Sequence, residues 1–225
     1  MFSVSWIVSV SIFIVSFLGI VFAAKFLAKP VDEYKVSFLR MFPFEMARTG
    51  ENNGKFYCFS AYLFAGLCFS PLIVIIDSTT NLSNLNPLSI FIACLFGLAA
   101  LCFVFLNIFD ATHVKAHLSL FGIFALLTFL SSSLVSVRGF IAWDIFNKHG
   151  SQEYLTLVTS VIVELVAVFV LILIFNPKLK TWAVLDMVDG KYVRPKKFVL
   201  AYSEWGVLLS LFLSELIYFI QLLVK

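Results

Sequence analysis

Apolar residues fall into six long blocks along this chain, separated by short stretches that hold nearly all of its charged residues. A helix needs about 20 apolar residues to cross a hydrocarbon core, whereas a barrel strand needs about half that number with alternating polarity. The blocks therefore predict an all-α membrane protein, a bundle of about six transmembrane helices in one polytopic domain over residues 1–225. The predicted helices cover residues 3–24, 56–77, 88–109, 118–137, 155–175 and 202–223.

Smaller elements are predicted between and within these blocks. Residues 30–44 mix aromatic and charged side chains without enough apolar length to span, which favours a short helix lying in the membrane interface. Asp189-Gly190, between apolar-rich flanks, predicts a tight cytoplasmic β-hairpin. Pro71 inside the second block predicts a kink, with Ser70 or a neighbouring helix satisfying the freed backbone groups.

Composition supports lipid as the solvent of these blocks. The chain is 61% apolar and 13% charged, with a mean hydropathy of +1.02, whereas a soluble domain carries about a quarter charged residues. Membrane lipids are therefore the expected partners. The formal charge of +3, without a basic stretch interleaved with aromatics, argues against nucleic-acid binding. The four cysteines lie inside apolar blocks without metal-ligand spacing and are interpreted as small hydrophobes.

The distribution of Lys and Arg predicts the orientation of the bundle. Three of these residues lie on one side, Arg138, Lys148 and Lys225, and thirteen lie in the first, third and fifth loops. By the positive-inside rule, the basic loops are cytoplasmic and both termini lie outside, in a cell (plasma) membrane. The basic residues of the fifth loop either anchor this topology or contact anionic headgroups or a partner protein; they are Lys191, Arg194, Lys196 and Lys197.

Two glutamates interrupt the apolar blocks, Glu164 in the fifth and Glu215 near the middle of the sixth. An ionised carboxylate is costly at such positions. Thr156, Ser160 and Glu164 follow at i, i+4 and i+8, so they are expected to form one polar stripe facing the bundle. One hypothesis is an ion or proton pathway lined by Glu164, Glu215, Ser160, Thr156 and Ser214. The alternative is that two neutral carboxyls bond to Ser and Thr and hold the helices in register.

A second constellation lies where the third block ends. Asp110, His113 and His117 follow at i, i+3 and i+7, so a helix would place them on one face in an arrangement suited to a metal. Such a site needs a further ligand. Polar residues at a helix end also occur without any ligand, and the sequence indicates no particular cofactor. Arg138, Trp143 and Asp144 are expected in an outer loop, as an interfacial belt or as contacts to a solute.

Motifs of nucleophilic or phosphate chemistry are absent from the sequence. Ser131-Ser132-Ser133 has no GxSxG context, and no glycine-rich phosphate loop occurs. The first hypothesis is therefore a non-enzymatic transporter, or a subunit of a larger membrane complex that contacts other membrane subunits, with a polar interior around two glutamates. The alternative is a metal-dependent membrane-embedded enzyme that uses Asp110, His113 and His117.

Overall fold

The computed structural model of the chain describes residues 4–27, 38–39, 41–46, 51–77, 85–109, 114–148, 154–181, 186–188, 191–193 and 197–223. Its eight α-helices are α1 Val4–Phe22, α2 Pro43–Met46, α3 Glu51–Leu67, α4 Ser70–Asp77, α5 Asn86–Ile108, α6 Val114–Lys148, α7 Tyr154–Ile174 and α8 Val199–Leu223. A π-helical turn, Ala23–Leu27, extends α1, and a 3-10 turn, Pro177–Thr181, follows α7.

Six helical stretches in the described part of the chain are long and apolar enough to cross a membrane. They correspond to α1, to α3 with the start of α4, and to α5, α6, α7 and α8. The prediction of a helical bundle with six candidate spans is confirmed at this level. Six such helices are compatible with a multi-pass integral membrane protein.

Helix α6 is longer than the sequence pattern predicts. Its 35 residues extend about 52 Å, well beyond a hydrocarbon core of about 30 Å. The expectation that Arg138, Trp143 and Asp144 lie in an outer loop is therefore wrong, because α6 continues to Lys148. Ala142 and Phe146 pack with Leu85 beyond the predicted helix end. Apolar contacts thus persist there, and a helix-stopping signal comes only at His149-Gly150.

The core of the bundle surrounds α8. This helix contacts α1, α2, α4, α5, α6 and α7, and 16 of its 25 residues are buried. Stacked aromatic rings join it to the first two spans. The ring of Phe13 lies 5.4 Å from that of Phe212 and 5.1 Å from that of Phe64, and Phe17 stacks on Phe212 at 3.9 Å. Polar side chains on α8 are therefore enclosed by the other helices.

The second span is interrupted, as Pro71 predicts, although the break begins before the proline. Helix α3 ends at Leu67 and α4 starts at Ser70, which places Pro71 in a first turn where its missing N–H costs little. The predicted hydrogen bond from Ser70 to the freed backbone groups is not found, because the buried Ser70 hydroxyl makes no hydrogen bond with any described residue. Cys68 lies in the break and is fully buried.

The loops that carry the remaining predicted elements are described only in part. Strands β1 Asp186–Val188 and β2 Lys191–Val193 pair in antiparallel fashion, while the turn Asp189-Gly190 lies outside the described residues. Of the predicted interfacial segment 30–44, only residues 38–39 and 41–44 are described. The ring of Phe42 packs edge-on against Phe198, so the end of this loop lies against the start of α8.

Candidate functional site

Buried polar side chains of α8 mark three groups of residues along the bundle. Glu204 lies near the start of the helix, Ser214 and Glu215 two-thirds of the way along, and Tyr218 and Gln221 towards its end, all at most 1% exposed. We name the groups the His117 cluster, the Glu215 site and the Arg138 cluster. Each one joins α8 to other helices.

The His117 cluster is centred on a fully buried contact between α6 and α8. His117 Nε2 lies 2.7 Å from Glu204 Oε1, and Nδ1 lies 2.8 Å from the carbonyl oxygen of Phe109. Because a carbonyl only accepts, Nδ1 carries a hydrogen, and Nε2 and Glu204 share one further proton. The pair is therefore either an imidazolium with a carboxylate or a neutral imidazole with a carboxylic acid. Both forms keep one titratable proton inside the protein.

Further polar groups surround this pair and complete the His117 cluster. The Tyr57 hydroxyl donates to Asn107 Oδ1 at 3.3 Å, and Asn107 Nδ2 donates to the Phe103 carbonyl at 2.9 Å. Tyr57 and Glu45 lie within electrostatic range of Glu204. The carboxylate of Glu45 accepts the backbone N–H of Phe42 at 2.9 Å and so caps α2 over this end of the bundle.

The Glu215 site consists of Glu215, Cys68, Ser132 and Ser214. Glu215 is 0% exposed, and neither of its carboxyl oxygens has a hydrogen bond of normal geometry to a described residue. The thiol of Cys68, in the break between α3 and α4, interacts with this carboxyl. Ser132 and Ser214 form a hydrogen bond with each other at 2.7 Å, and neither hydroxyl forms one with Glu215. A buried carboxyl whose hydrogen-bonding neighbour is a thiol is unusual, because such a weak donor offsets little of its desolvation.

The Arg138 cluster lies at the other end of α8. Arg138 is 4% exposed, and its guanidinium donates from Nε to Ser89 Oγ at 2.7 Å and lies 5.7 Å from the centre of the Tyr218 ring. The Tyr218 hydroxyl in turn donates to the Ser89 carbonyl at 2.7 Å. In the described part of the chain, Arg138 Nη1 is buried without a hydrogen bond and no carboxylate forms an ion pair with Arg138.

The predicted polar stripe of Thr156, Ser160 and Glu164 on α7 is split between a buried and an exposed face of the helix. Thr156 and Ser160 are buried, and Gln221 Nε2 donates to Ser160 Oγ at 3.3 Å. Glu164 is exposed, so the expectation that it faces the bundle is wrong. The buried line of α7 passes through Val163, and Glu164 lies about 100° further around the helix. Spacing by four residues drifts around a helix, and after eight residues Glu164 has left the packed face.

The predicted metal ligands are described only in part, because Asp110 and His113 lie outside the described residues. His117 is described, and both of its ring nitrogens are engaged, by Phe109 and by Glu204. The described residues contain no group of three or more His, Cys, Asp or Glu side chains suited to hold a metal. The arrangement of His117 therefore favours proton sharing with Glu204, and the three-residue metal site stays a prediction.

The predicted lipid-contacting residues also fall mostly outside the description. Lys197 is exposed. Arg194 and Lys196 lie outside the described residues, and of Lys191 only the backbone is described, in β2. Their contact with headgroups or a partner stays a prediction.

Glu204 and Arg138 are among the residues of these clusters that the sequence pattern did not assign to a buried site. Glu204 lies at the start of the sixth block, where an acidic residue is expected at a helix end, and its partner His117 is 87 residues away. The pattern predicts a loop at Arg138 because the predicted fourth helix, 118–137, ends one residue before it. The sequence contains a signal of burial in both cases, since apolar residues both precede and follow Glu204 and Arg138.

Comparisons with known proteins add no assignment to this geometry. No family model matches the chain, and no curated protein or solved structure is significantly similar to it. The function is therefore inferred from the arrangement of the buried polar residues.

Proposed function

We propose that the protein is a non-enzymatic membrane transporter that moves protons, with Glu215 as the group that binds and releases them. The observation that carries this proposal is the complete burial of Glu215, whose carboxyl interacts with the Cys68 thiol and has no hydrogen bond of normal geometry to a described residue. Ionisable residues inside membrane proteins are costly and are usually kept for ion or proton movement. Because a thiol is only a weak hydrogen-bond donor, the Glu215 carboxyl stays available to a proton, a water molecule or a cation.

The competing structural role for Glu215 has little support. A carboxyl that holds helices in register does so through hydrogen bonds to neighbouring hydroxyls. Here Ser132 and Ser214 bond each other, and Ser132 also donates to the Thr128 carbonyl at 2.7 Å. These two hydroxyls are thus committed elsewhere, which favours a role of Glu215 in proton binding.

The His117 cluster supplies a second proton-holding group at the other end of α8. Glu204 and Glu215 are separated along the helix by about 16 Å, from the rise per residue. Leu208 and Leu211 lie between them and are buried. Protons therefore need water or a movement of α8 to pass between the two sites, and we expect transport to be coupled to a conformational change.

Replacing Glu215 tests the proposal. In liposomes containing the purified chain, a potassium gradient with valinomycin drives protons, and a trapped pH-sensitive dye reports their flux. Glu215→Gln is expected to lower the flux to that of protein-free liposomes, because an amide of the same shape binds no exchangeable acidic proton. Asp144→Asn is the matched control, since this carboxylate is exposed and paired with Lys148. Equal flux in wild type and Glu215→Gln would contradict the proposal.

Glu164 favours a second candidate function, that of a subunit in a larger membrane complex. It lies in the middle of the 21 residues of α7 and is exposed among the apolar side chains of Val161, Leu165 and Val168. Carboxyls at mid-membrane usually face another protein element and not lipid. We propose that a transmembrane helix of another chain covers this face and brings a basic side chain to Glu164.

Photo-crosslinking in native membranes tests this contact. A photoreactive residue in place of Val161, one turn before Glu164, is expected to form an adduct with one other chain that has Lys or Arg inside a transmembrane segment. Glu164→Leu is expected to abolish that adduct, because the charge pair selects the partner. An adduct of twice the mass of the chain would indicate self-association and contradict a partner of different sequence. Adducts with lipid alone, or a protein adduct that survives Glu164→Leu, would contradict the proposed contact.

A further inference from the structure

Arg138 presents an electrostatic problem that the proposed proton carrier does not by itself explain. A guanidinium stays charged under all ordinary conditions, and burying a charge is costly unless an opposite charge compensates it. Arg138 is 4% exposed, yet its described partners are the Ser89 hydroxyl and the face of the Tyr218 ring, both neutral. Its buried nitrogen Nη1 has no hydrogen bond to any described residue.

The surroundings of Ser89 make the burial of the Arg138 charge still less favourable. Ser89 lies in the first turn of α5, whose N-terminus carries a partial positive charge. The N-cap residue, Leu85, offers no side-chain hydrogen bond to this end of the helix. Arg138 is thus held beside a second electropositive group. Among the described residues, the Arg138 cluster therefore lacks an anion.

Glu215 is the group placed to become that anion. It precedes Tyr218 by one helical turn on α8, so both side chains leave the same face of the helix. Tyr218 interacts electrostatically with both Arg138 and Glu215. Among the described residues, neither the oxygens of Glu215 nor the Nη1 of Arg138 has a hydrogen bond of normal geometry, although the Cys68 thiol interacts with the Glu215 carboxyl. From these observations, and on the basis of the proposed function, we infer that Arg138 is the counter-charge of Glu215 after Glu215 has released its proton.

The described arrangement then corresponds to the protonated state of Glu215. The carboxyl is neutral, and Arg138 is held by Ser89 and Tyr218. When the O–H bond of Glu215 breaks and the proton passes to water, the carboxylate attracts the guanidinium, and Nη1 donates a charge-assisted hydrogen bond to it. Glu215 lies about 4.5 Å along α8 from Tyr218, so the guanidinium that packs on the Tyr218 ring moves towards the preceding turn of α8 to reach the carboxylate. Proton release would thereby loosen the contact between α5 and α6 at Ser89.

Infrared spectroscopy of the reconstituted protein tests this inference. The carbonyl band of the protonated Glu215 carboxyl, assigned by its loss in Glu215→Gln, is followed as pH is raised. In Arg138→Gln the band is expected to persist to higher pH than in wild type, because the carboxylate has lost its counter-charge. Arg138→Lys, which keeps the charge, is expected to fall between them. The control is Lys148→Gln, which removes an exposed cation and leaves the titration unchanged.

A second variant covers the case in which Arg138→Gln does not fold. Ser89→Ala removes the hydroxyl that holds Arg138 away from Glu215, so the band is expected to disappear at lower pH than in wild type. Cys68 and Tyr218 also interact with Glu215, and Cys68→Ala and Tyr218→Phe are measured to separate their contributions.

The outcomes distinguish this inference from the proposed transport. Identical titration in wild type, Arg138→Gln and Ser89→Ala overturns the inference, even if protons are transported. A titration that responds to Arg138 in a protein without proton flux supports the counter-charge and overturns the transport. A wild-type titration that shifts on adding phosphate or acetate, but not on changing Arg138, assigns the response to a soluble anion and overturns the inference.

Discussion

Three glutamates of the candidate spans occupy three different environments. Glu164 is exposed, Glu204 shares a proton with His117, and Glu215 is buried against the Cys68 thiol without a hydrogen bond of normal geometry to the described residues. Position along the sequence predicts that Glu164 and Glu215 lie within spans, since depth follows from the rise per residue. It does not predict which face of the helix they occupy, because that depends on contacts with helices distant in sequence.

Close contacts between helices at single glycines are also beyond the sequence pattern. At Gly139 an added Cβ would lie 2.0 Å from Ser160 Oγ and 2.5 Å from Gln221 Nε2, so α6, α7 and α8 approach each other there. At Gly122, on the same helix, no described neighbour lies within 4 Å of an added Cβ. The two glycines look alike in the sequence and differ only in their tertiary surroundings.

This pair of glycines gives a matched prediction for stability. Gly139→Ala is expected to destabilise the protein by about 1–3 kcal/mol, because the side chains of Ser160 and Gln221 must move away from the added methyl group. Gly122→Ala is expected to be stabilising by up to about 1 kcal/mol through helix propensity. Thermal unfolding of both variants in the same detergent measures the difference. Equal melting temperatures for the two variants would contradict the described packing around Gly139.

Among the elements, α6 departs most from its prediction, and the reason is physical. Hydropathy indicates where the apolar segment ends. The helix itself continues as long as its backbone groups are hydrogen-bonded within the helix and one of its faces packs against other residues. Beyond Arg138 the charges return, but Ala142 and Phe146 still pack with Leu85. The break between α3 and α4 was easier to predict, because Pro71 itself removes a helical hydrogen bond. Its consequence, the placement of Cys68 against Glu215, depends on α8 and was not predictable.

The length of α6 predicts where water-soluble reagents reach it. In a cysteine-free background, Asn147→Cys is expected to react with a membrane-impermeant maleimide, since Asn147 is exposed and lies near the end of a helix about 52 Å long. Leu126→Cys is the matched control, because Leu126 is also exposed, at 52%, but lies nearer the middle of α6 where lipid would cover it. Labelling of both positions, or of neither, would contradict the placement of α6 across a bilayer.

At the scale of the molecule, the number and order of the spans were predictable because each block is long, apolar and bounded by charge. The contacts between polar side chains in the interior were less predictable. Its three groups of polar residues draw on α2, α3, α5, α6, α7 and α8, and the hydrogen-bonded pairs that α8 makes with other helices are distant in sequence. Gln221 and Ser160 are 61 residues apart, and Ser89 and Tyr218 are 129 residues apart. The proposed orientation still rests on the basic loops. It places the Arg138 cluster towards the outside and the His117 cluster towards the cytoplasm.

The most direct test of the account is the proton flux of liposomes that contain this chain alone. Under a potential set by potassium and valinomycin, wild-type protein is expected to acidify or alkalinise the lumen, according to the sign of the potential, faster than protein-free liposomes. Glu215→Gln is expected to return the rate to the protein-free value while the variant stays monodisperse. A wild-type rate equal to that of protein-free liposomes, or a Glu215→Gln rate equal to wild type, would contradict proton transport through Glu215.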